Sequence, residues 1–148
     1  MDSSSTEAHI EEVQRRLETF ASALFARGLT HDISKVHDPA ERACFDQIGR
    51  ALRGAAYGSE AYQEILQKFK SAVDRHYSSN SHHPEYYPRG VSDMDLLDIV
   101  EMFCDWKASS LRCEDGRFED SLKHNATRFG VSSQLNGIFE NTRKNLDW

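Results

Sequence analysis

Hydrophobic side chains recur every three or four residues along most of the chain, which is the spacing of amphipathic α-helices. The first such stripe spans residues 7–27 and consists of Ile10, Val13, Leu17, Phe20 and Leu24. Gly28 is suited to end this helix, because glycine readily adopts the left-handed conformation that follows many helices. We expect the stripe to face the protein core.

Two further helices are predicted between residues 38 and 76. One begins at Asp38, where an N-cap is followed by a proline and by an acid at Glu41, and it runs to about Gly54. The other is capped by Ser59, and its apolar stripe consists of Tyr62, Ile65, Leu66, Phe69 and Val73. Continuing that period by three residues reaches His76, so a polar ring occupies a core-facing position.

A loop and an acidic helix follow. Residues 78–90 contain two prolines, a glycine and little periodicity, which predicts an ordered loop. A helix over residues 93–111 begins at Ser92, with Asp95 at the capping-box position. Acidic side chains recur along this helix close to its apolar row, at Asp98, Glu101 and Asp105.

Two shorter helices complete the chain. One covers residues 118–129 and ends at Gly130, and the other is capped by Ser132 or Ser133. The inward positions of the last helix are Leu135, Ile138, Phe139 and Leu146. No window alternates polar and apolar residues as a strand does. We expect an all-α, single-domain protein of six to seven helices over residues 1–148, with residues 1–6 flexible.

Composition limits the classes of function. The chain of 148 residues contains no apolar run long enough to span a membrane, and residues 1–7 are polar and acidic, unlike a signal peptide. We therefore expect a cytoplasmic protein. Three cysteines, Cys44, Cys104 and Cys113, fit no disulfide or zinc-knuckle pattern and are expected to be reduced. A net charge of −6 argues against broad binding to nucleic acids, whereas a small anionic ligand and a homodimer stay open.

Histidine carries the candidate chemistry. The chain has seven histidines, and the adjacent His31-Asp32 pair offers a nitrogen and an oxygen donor that suit zinc, manganese, iron or cobalt. Other potential donors occur where helices or loops are expected to present them inward: His9, His76, His82, His83 and Asp105. Such a set is large enough for one or two divalent ions.

The order of these residues resembles the HD-domain superfamily of metal-dependent phosphohydrolases. The resemblance covers residues 9–106 and rests on His31-Asp32-x-x-Lys35, His76, His82-His83-Pro84-Glu85 and Glu101-Met102-x-x-Asp105-Trp106. Among its members, the chain is most similar to a group of small HD-like proteins of phages and bacteria. The family's fold is all-helical, which agrees with the helices expected here.

The resemblance implies a ligand set. His31, Asp32 and Asp105 would be the core ligands, Asp32 would bridge two ions, and His9 would match the family's early histidine. A second position would be completed by His76 with one or both of His82 and His83. Lys35 stands where alarmone hydrolases have an acidic pair, and Ser34 stands where many members have glycine. Activity on hyperphosphorylated guanosine nucleotides is therefore not expected.

The implied reaction is hydrolysis of a nucleotide or another small phosphoester. Divalent ions lower the pKa of bound water toward about 7 and neutralise charge on the phosphoryl group. Asp32, Lys35 and Glu101 are the expected catalytic residues, with Lys35 holding a phosphate oxygen and Glu101 able to orient a ligand histidine. Weaker candidates for phosphate binding are Arg89 and Arg128.

Other interpretations stay open at this point. Some HD-fold proteins hold a di-iron centre with similar ligands and oxidise small substrates with dioxygen, and a domain that binds metal or ligand without turnover is a third option. His76 alone could be a structural core histidine, and His82-His83 could belong to a polar loop. Asp98 and Glu101 could be solvated, as most helix acids are.

Overall fold

The structure, a computed structural model, describes residues 3–55, 58–112 and 116–148. Within these residues there are α-helices, two 3-10 helices (Pro84–Tyr86 and Gly90–Asp93) and no strand, so the all-α prediction is confirmed. The α-helices are α1 (Ser3–Thr30), α2 (Ser34–His37), α3 (Pro39–Ala51), α4 (Glu60–Lys68), α5 (Lys70–Ser79), α6 (Leu96–Ser110), α7 (Phe118–Phe129) and α8 (Ser133–Asn145). No helix in these ranges has the length and apolarity needed to cross a membrane.

Contacts along the chain group into two units, Met1–Ile33 and Ser34–Trp148. The first unit consists of α1 and the short turn after it. The second contains all the other helices. That the chain folds as a single domain stays a prediction.

Helix α1 is longer than the sequence pattern indicated. It begins at Ser3, so Ser3–Thr6, which were expected to be flexible, are helical, while Met1 and Asp2 lie outside the described residues. It also continues through Gly28 to Thr30, whose hydroxyl donates to a backbone carbonyl of the preceding turn. The helix ends where Asp32 takes a left-handed conformation with φ of 53°.

The apolar stripe of α1 is largely open to solvent. Ile10, Val13 and Leu17 are 50%, 44% and 64% exposed, so the expectation that they face the core is wrong. The period of a pattern shows which side chains share one face of a helix. It does not show what covers that face.

The core of the second unit is aromatic and lies among α6, α7 and α8. Its buried side chains are Met102, Phe103, Trp106, Phe118, Leu122 and Phe139. The rings of Phe103 and Phe139 stack at 5.1 Å, and Trp148 stacks on Phe103 at 5.6 Å. Ile138 on α8 and Leu146 directly after it are exposed, contrary to expectation, whereas Phe139 is buried in the core.

The helix boundaries show which local signals operate. Gly130 ends α7 with a positive φ, and the Ser132 hydroxyl accepts from Leu135 N at the start of α8, as predicted. Helix α6 starts three residues later than predicted, because Asp95, and not Ser92, is its N-cap. The predicted third helix is divided into α4 and α5 at Phe69, whose backbone leaves the helical region.

The aromatic core makes a prediction about stability. Leu122 is 1% exposed, so Leu122→Ala should remove packed methyl groups and leave a cavity, lowering the free energy of unfolding by about 2–5 kcal/mol. Leu111 is 68% exposed, and Leu111→Ala should change it by less than about 0.5 kcal/mol. Urea unfolding followed by circular dichroism compares the two variants. Equal losses would show that the core lies elsewhere.

Candidate metal centre

Three histidines of the second unit converge. His76 comes from α5, and His82 and His83 come from the loop that follows it. Each of these residues offers one ring nitrogen, and the three nitrogens lie within 4.8 Å of one another. His76 and His82 are 2% and 3% exposed. We call these residues the histidine cluster, and they include the core-facing ring that the period of the third predicted helix indicated.

Asn80 turns the chain so that the loop histidines approach α5. It ends α5 in an extended conformation, and its side-chain amide donates to the His76 carbonyl at 2.7 Å. The Asn80 carbonyl then accepts from His83 N at 3.0 Å. Pro84, whose fixed φ suits a first helical position, starts the 3-10 helix directly after His83. The local sequence thus brings His83 back toward His76.

A carboxylate holds each of the two most buried rings. His76 Nδ1 is 2.7 Å from Glu41 Oε1 on α3, and His82 Nδ1 is 3.1 Å from Glu101 Oε1 on α6. A neutral imidazole that donates from Nδ1 carries its lone pair on Nε2. The two carboxylates therefore select Nε2 as the nitrogen with which each histidine would bind a metal, and this pairing is typical of metal-binding histidines.

The distance between two ring nitrogens fits a shared ion. His76 Nε2 and His83 Nε2 are 3.1 Å apart. Two nitrogens that bind one ion at about 2.0–2.1 Å, at angles between octahedral and tetrahedral values, lie roughly 2.9–3.4 Å apart. Without an ion, one of the two rings must donate an N–H hydrogen bond to the other. With an ion, both could bind it with little movement.

Asp105 places an oxygen donor beside the histidine cluster. It follows Glu101 by one helical turn on α6, and one of its carboxylate oxygens lies within 4.8 Å of a His82 nitrogen. The second unit therefore contains three converging histidines that could hold a metal ion, and an aspartate lies beside one of them.

His31 and Asp32 belong to the first unit, at the end of α1. His31 Nε2 is 3.5 Å from Asp32 Oδ2, and the two side chains are 28% and 18% exposed. A positive φ is uncommon for residues other than glycine, but aspartate and asparagine tolerate it better than most. The left-handed Asp32 thus ends α1 and presents both polar groups in one turn.

His9 cannot share an ion with His31 in the same chain. It is exposed on α1, and Thr30 lies 21 positions further along the same continuous helix. At 1.5 Å per residue this separation is about 32 Å along the helix axis. The prediction that His9 shares an ion with His31 and Asp32 of the same chain is therefore wrong, because α1 is one unbroken helix.

Two of the predicted phosphate-binding cations lie next to aromatic rings that contact the histidine cluster. Lys35 Nζ is 4.4 Å from the centre of the Phe45 ring, which packs edge-on to His76. Arg128 lies 5.9 Å from the ring of Tyr77, whose centre is 4.5 Å from that of His83. A single aromatic ring therefore lies between each of these two cations and the histidine cluster.

Arg89 is directed elsewhere. Its guanidinium donates to Asp93 at 2.7 Å, and this contact lowers the pKa of the Asp93 carboxyl. The contact raises the pKa of Arg89 in turn. The structure therefore gives Arg89 a local role in the second 3-10 helix, and the prediction that it binds phosphate gains no support.

Two acids matter in ways that sequence reasoning missed. Glu41 was interpreted as a capping residue, yet Asp38 caps α3 and the Glu41 carboxylate contacts His76. For Asp98 a solvated position was left open, yet it is 1% exposed and accepts from the hydroxyls of Ser81 and Tyr87 at 2.7 and 2.5 Å. The sequence did contain a signal for Glu101, which lies one helical turn before Asp105 on the same helix. It contained no comparable signal for Asp98.

The cysteines offer no activated nucleophile among the described residues. Partial burial raises the pKa of the Cys104 thiol, and the acidic neighbours Glu101 and Asp105 raise it further. Cys104 therefore stays protonated near neutral pH. Cys113 lies outside the described residues.

The fold and the site define an all-α protein with a cluster of histidine and aspartate residues that could hold a metal ion. The chain belongs to the DUF5662 family, a family of unknown function, whose model matches residues 2–147. No curated protein and no solved structure matches the chain.

The contact between Tyr87 and Asp98 predicts a titration. The hydrogen bond to Asp98 raises the pKa of Tyr87 to about 12, because the carboxylate accepts from the neutral phenol. The stability that this contact contributes is present below about pH 10, the ordinary pKa of tyrosine, and is lost as the pH rises through 12. Asp98→Asn should lower the pKa of Tyr87, measured by phenolate absorbance with Tyr87→Phe as the subtraction control. An unchanged pKa would contradict the assignment.

Proposed function

We propose that this protein is a divalent-metal-dependent phosphohydrolase that acts on a nucleotide or another small phosphoester. The observation that carries the proposal is the convergence of histidines that are held by carboxylates. Glu41 contacts His76 and Glu101 contacts His82. The other nitrogen of the His76 ring faces His83, with 3.1 Å between the two Nε2 atoms. A buried structural histidine needs a partner for each of its two ring nitrogens, but it does not require other histidine rings to converge on it. Three converging rings, two of them held by acids, are better explained by a metal.

We further propose that His31 and Asp32 complete the ligand set. The resemblance to HD-domain phosphohydrolases assigns them this role, and their donor atoms are of the right kinds. Only Ile33 separates Asp32 from the second unit, which begins at Ser34. Because successive Cα atoms are 3.8 Å apart, the Cα atoms of Asp32 and Ser34 lie within about 8 Å of each other. The adjacency of Asp32 to the second unit along the chain is what supports this role.

The donor set fits an ion of borderline character. Imidazole nitrogens and carboxylate oxygens together suit manganese, iron, cobalt or zinc better than the oxygen-only sites that calcium and magnesium prefer. When bound, such an ion supplies activation of water near neutral pH and stabilises negative charge on the phosphoryl group. One or two ions are compatible with the number of donors.

The protein's own groups would position these parts. Glu41 and Glu101 accept from Nδ1 of their histidines, which fixes the orientation of the two rings and places the lone pair of each neutral ring on Nε2. Because His76 and His82 are buried, these two ligand rings are shielded from solvent. Lys35 carries a charge that can hold a phosphate oxygen, and the Phe45 ring beneath its ammonium limits its movement.

The first test uses Asp32→Asn. Asparagine tolerates the left-handed conformation but lacks the charge, so the variant should keep its fold and lose hydrolysis by about 100-fold or more. Asp147→Asn is the matched control, because Asp147 has a φ of 54° and should keep full activity. Metal content is measured on protein purified without added metal. Release of phosphate or nucleoside is then screened with manganese, cobalt, zinc and iron.

Three outcomes would overturn the proposal in different ways. Two irons with a mixed-valence spin signal and consumption of dioxygen would identify an oxygenase. Metal without turnover of any phosphoester would identify a binding domain. No bound metal under any condition would return the histidine cluster to a structural role.

A second test addresses the carboxylates behind the ligands. Glu41→Gln and Glu101→Gln should each weaken metal binding by roughly 10- to 100-fold, because the neutral amide polarises the histidine less. Glu140→Gln, which removes the same charge from the ion pair with Arg143 on α8, is the control. Competition with a fluorescent chelator measures the affinity. Unchanged affinity in both test variants would show that these acids only satisfy buried rings.

A further inference from the structure

We propose that Arg128 is the side chain that binds the substrate's phosphate, and that Glu85 occupies Arg128 until a phosphate replaces it. This inference rests on the proposed phosphohydrolase function and names the group that would recognise its substrate. The substrate class is a phosphomonoester, whose terminal phosphate carries two negative charges and several free oxygens.

The Arg128–Glu85 ion pair is attached to the histidine cluster. Arg128 lies in the last turn of α7, and its Nη2 donates to Glu85 Oε1 at 2.8 Å across 43 residues of sequence. Glu85 follows His83 by two residues, within the 3-10 helix that begins at Pro84. The position of the pair is therefore coupled to the position of His83.

Aromatic rings hold the guanidinium in place. Arg128 Cζ lies 4.5 Å from the Phe129 ring and 5.9 Å from the Tyr77 ring. Tyr77 also contacts His83, at 4.5 Å between ring centres. A planar cation held against rings loses little conformational freedom when it binds an anion. The Arg128 guanidinium is thus already oriented before an anion binds, beside the Tyr77 ring that contacts His83.

Solvent reaches both members of the pair. The side chains of Arg128 and Glu85 are 35% and 33% exposed, so a dissolved anion can approach them. A phosphate dianion has twice the charge of a carboxylate and accepts two parallel hydrogen bonds from one guanidinium. It should therefore displace Glu85 from Arg128. The chain's net charge of −6 makes such a local cation important for an anionic substrate.

The two side chains should have opposite effects if they compete with phosphate. Arg128→Gln removes the cation and should weaken the binding of inorganic phosphate by about 10-fold or more. Glu85→Gln removes the competitor and should strengthen that binding by about 3-fold or more. A purely structural ion pair predicts instead that both variants weaken binding, or leave it unchanged, to the same extent.

The experiment is isothermal titration of inorganic phosphate into manganese-loaded protein. Glu140→Gln changes the net charge by the same amount as Glu85→Gln and should leave phosphate affinity unchanged. Arg128→Lys keeps the charge without the planar fork and should give an intermediate loss. Thermal unfolding of every variant shows whether the fold is retained. If Arg128→Gln does not fold, Arg128→Lys and Glu85→Gln still decide the question.

Metal content separates this inference from the function on which it rests. Protein that holds none of manganese, cobalt, zinc and iron removes the proposed phosphohydrolase function itself. Protein that holds manganese and releases phosphate from esters, but binds phosphate equally well with and without Arg128, retains the function and overturns only this inference. Weaker phosphate binding by Glu85→Gln, or no measurable binding by the unchanged protein, would also overturn it.

Discussion

The hydrogen bond between His76 and Glu41 is the contact on which the site depends. The His76 side chain is fully buried, so its polar nitrogens require partners inside the protein. Glu41 satisfies Nδ1, joins α3 to α5 across 35 residues, and directs Nε2 toward His83. The neighbouring loop can then place its own histidines against a ring that has only one orientation. A different partner for His76 would change the geometry of every donor around it.

Helix α6 connects the site to the hydrophobic core. One face buries Met102 and Trp106 among the aromatic side chains, and the adjacent face carries Glu101 and Asp105 toward His82. Because packed aromatic cores tolerate little displacement, the position of these acids is set by side chains that have no chemical role. Asp98, in the first turn of α6, also connects this helix to Ser81 and Tyr87 in the loop that carries His82 and His83. The core therefore provides the rigidity that a preorganised metal site needs.

Local signals were predictable and distant partners were not. Gly130 and Ser132 mark helix ends through their own backbone and side-chain chemistry, and the helical period correctly predicted an inward-facing His76. Glu41 was misinterpreted because a first-turn acid has two possible partners, its own N-cap or a distant side chain. Nothing within a few residues distinguishes them. The position of Asp98 was left open for the same reason, since its hydroxyl partners come from the preceding loop.

The sequence by itself determined the all-α fold, several helix ends and the kinds of donor atom available, because these depend on spacing and on near neighbours. Only the tertiary structure decided which nitrogen of His76 and His82 faces the cluster, since that depends on acids from other helices. It also decided that His9 is remote from His31 and that the stripe of α1 is exposed. Burial and long-range pairing are properties of the packed chain, and a periodic pattern does not contain them.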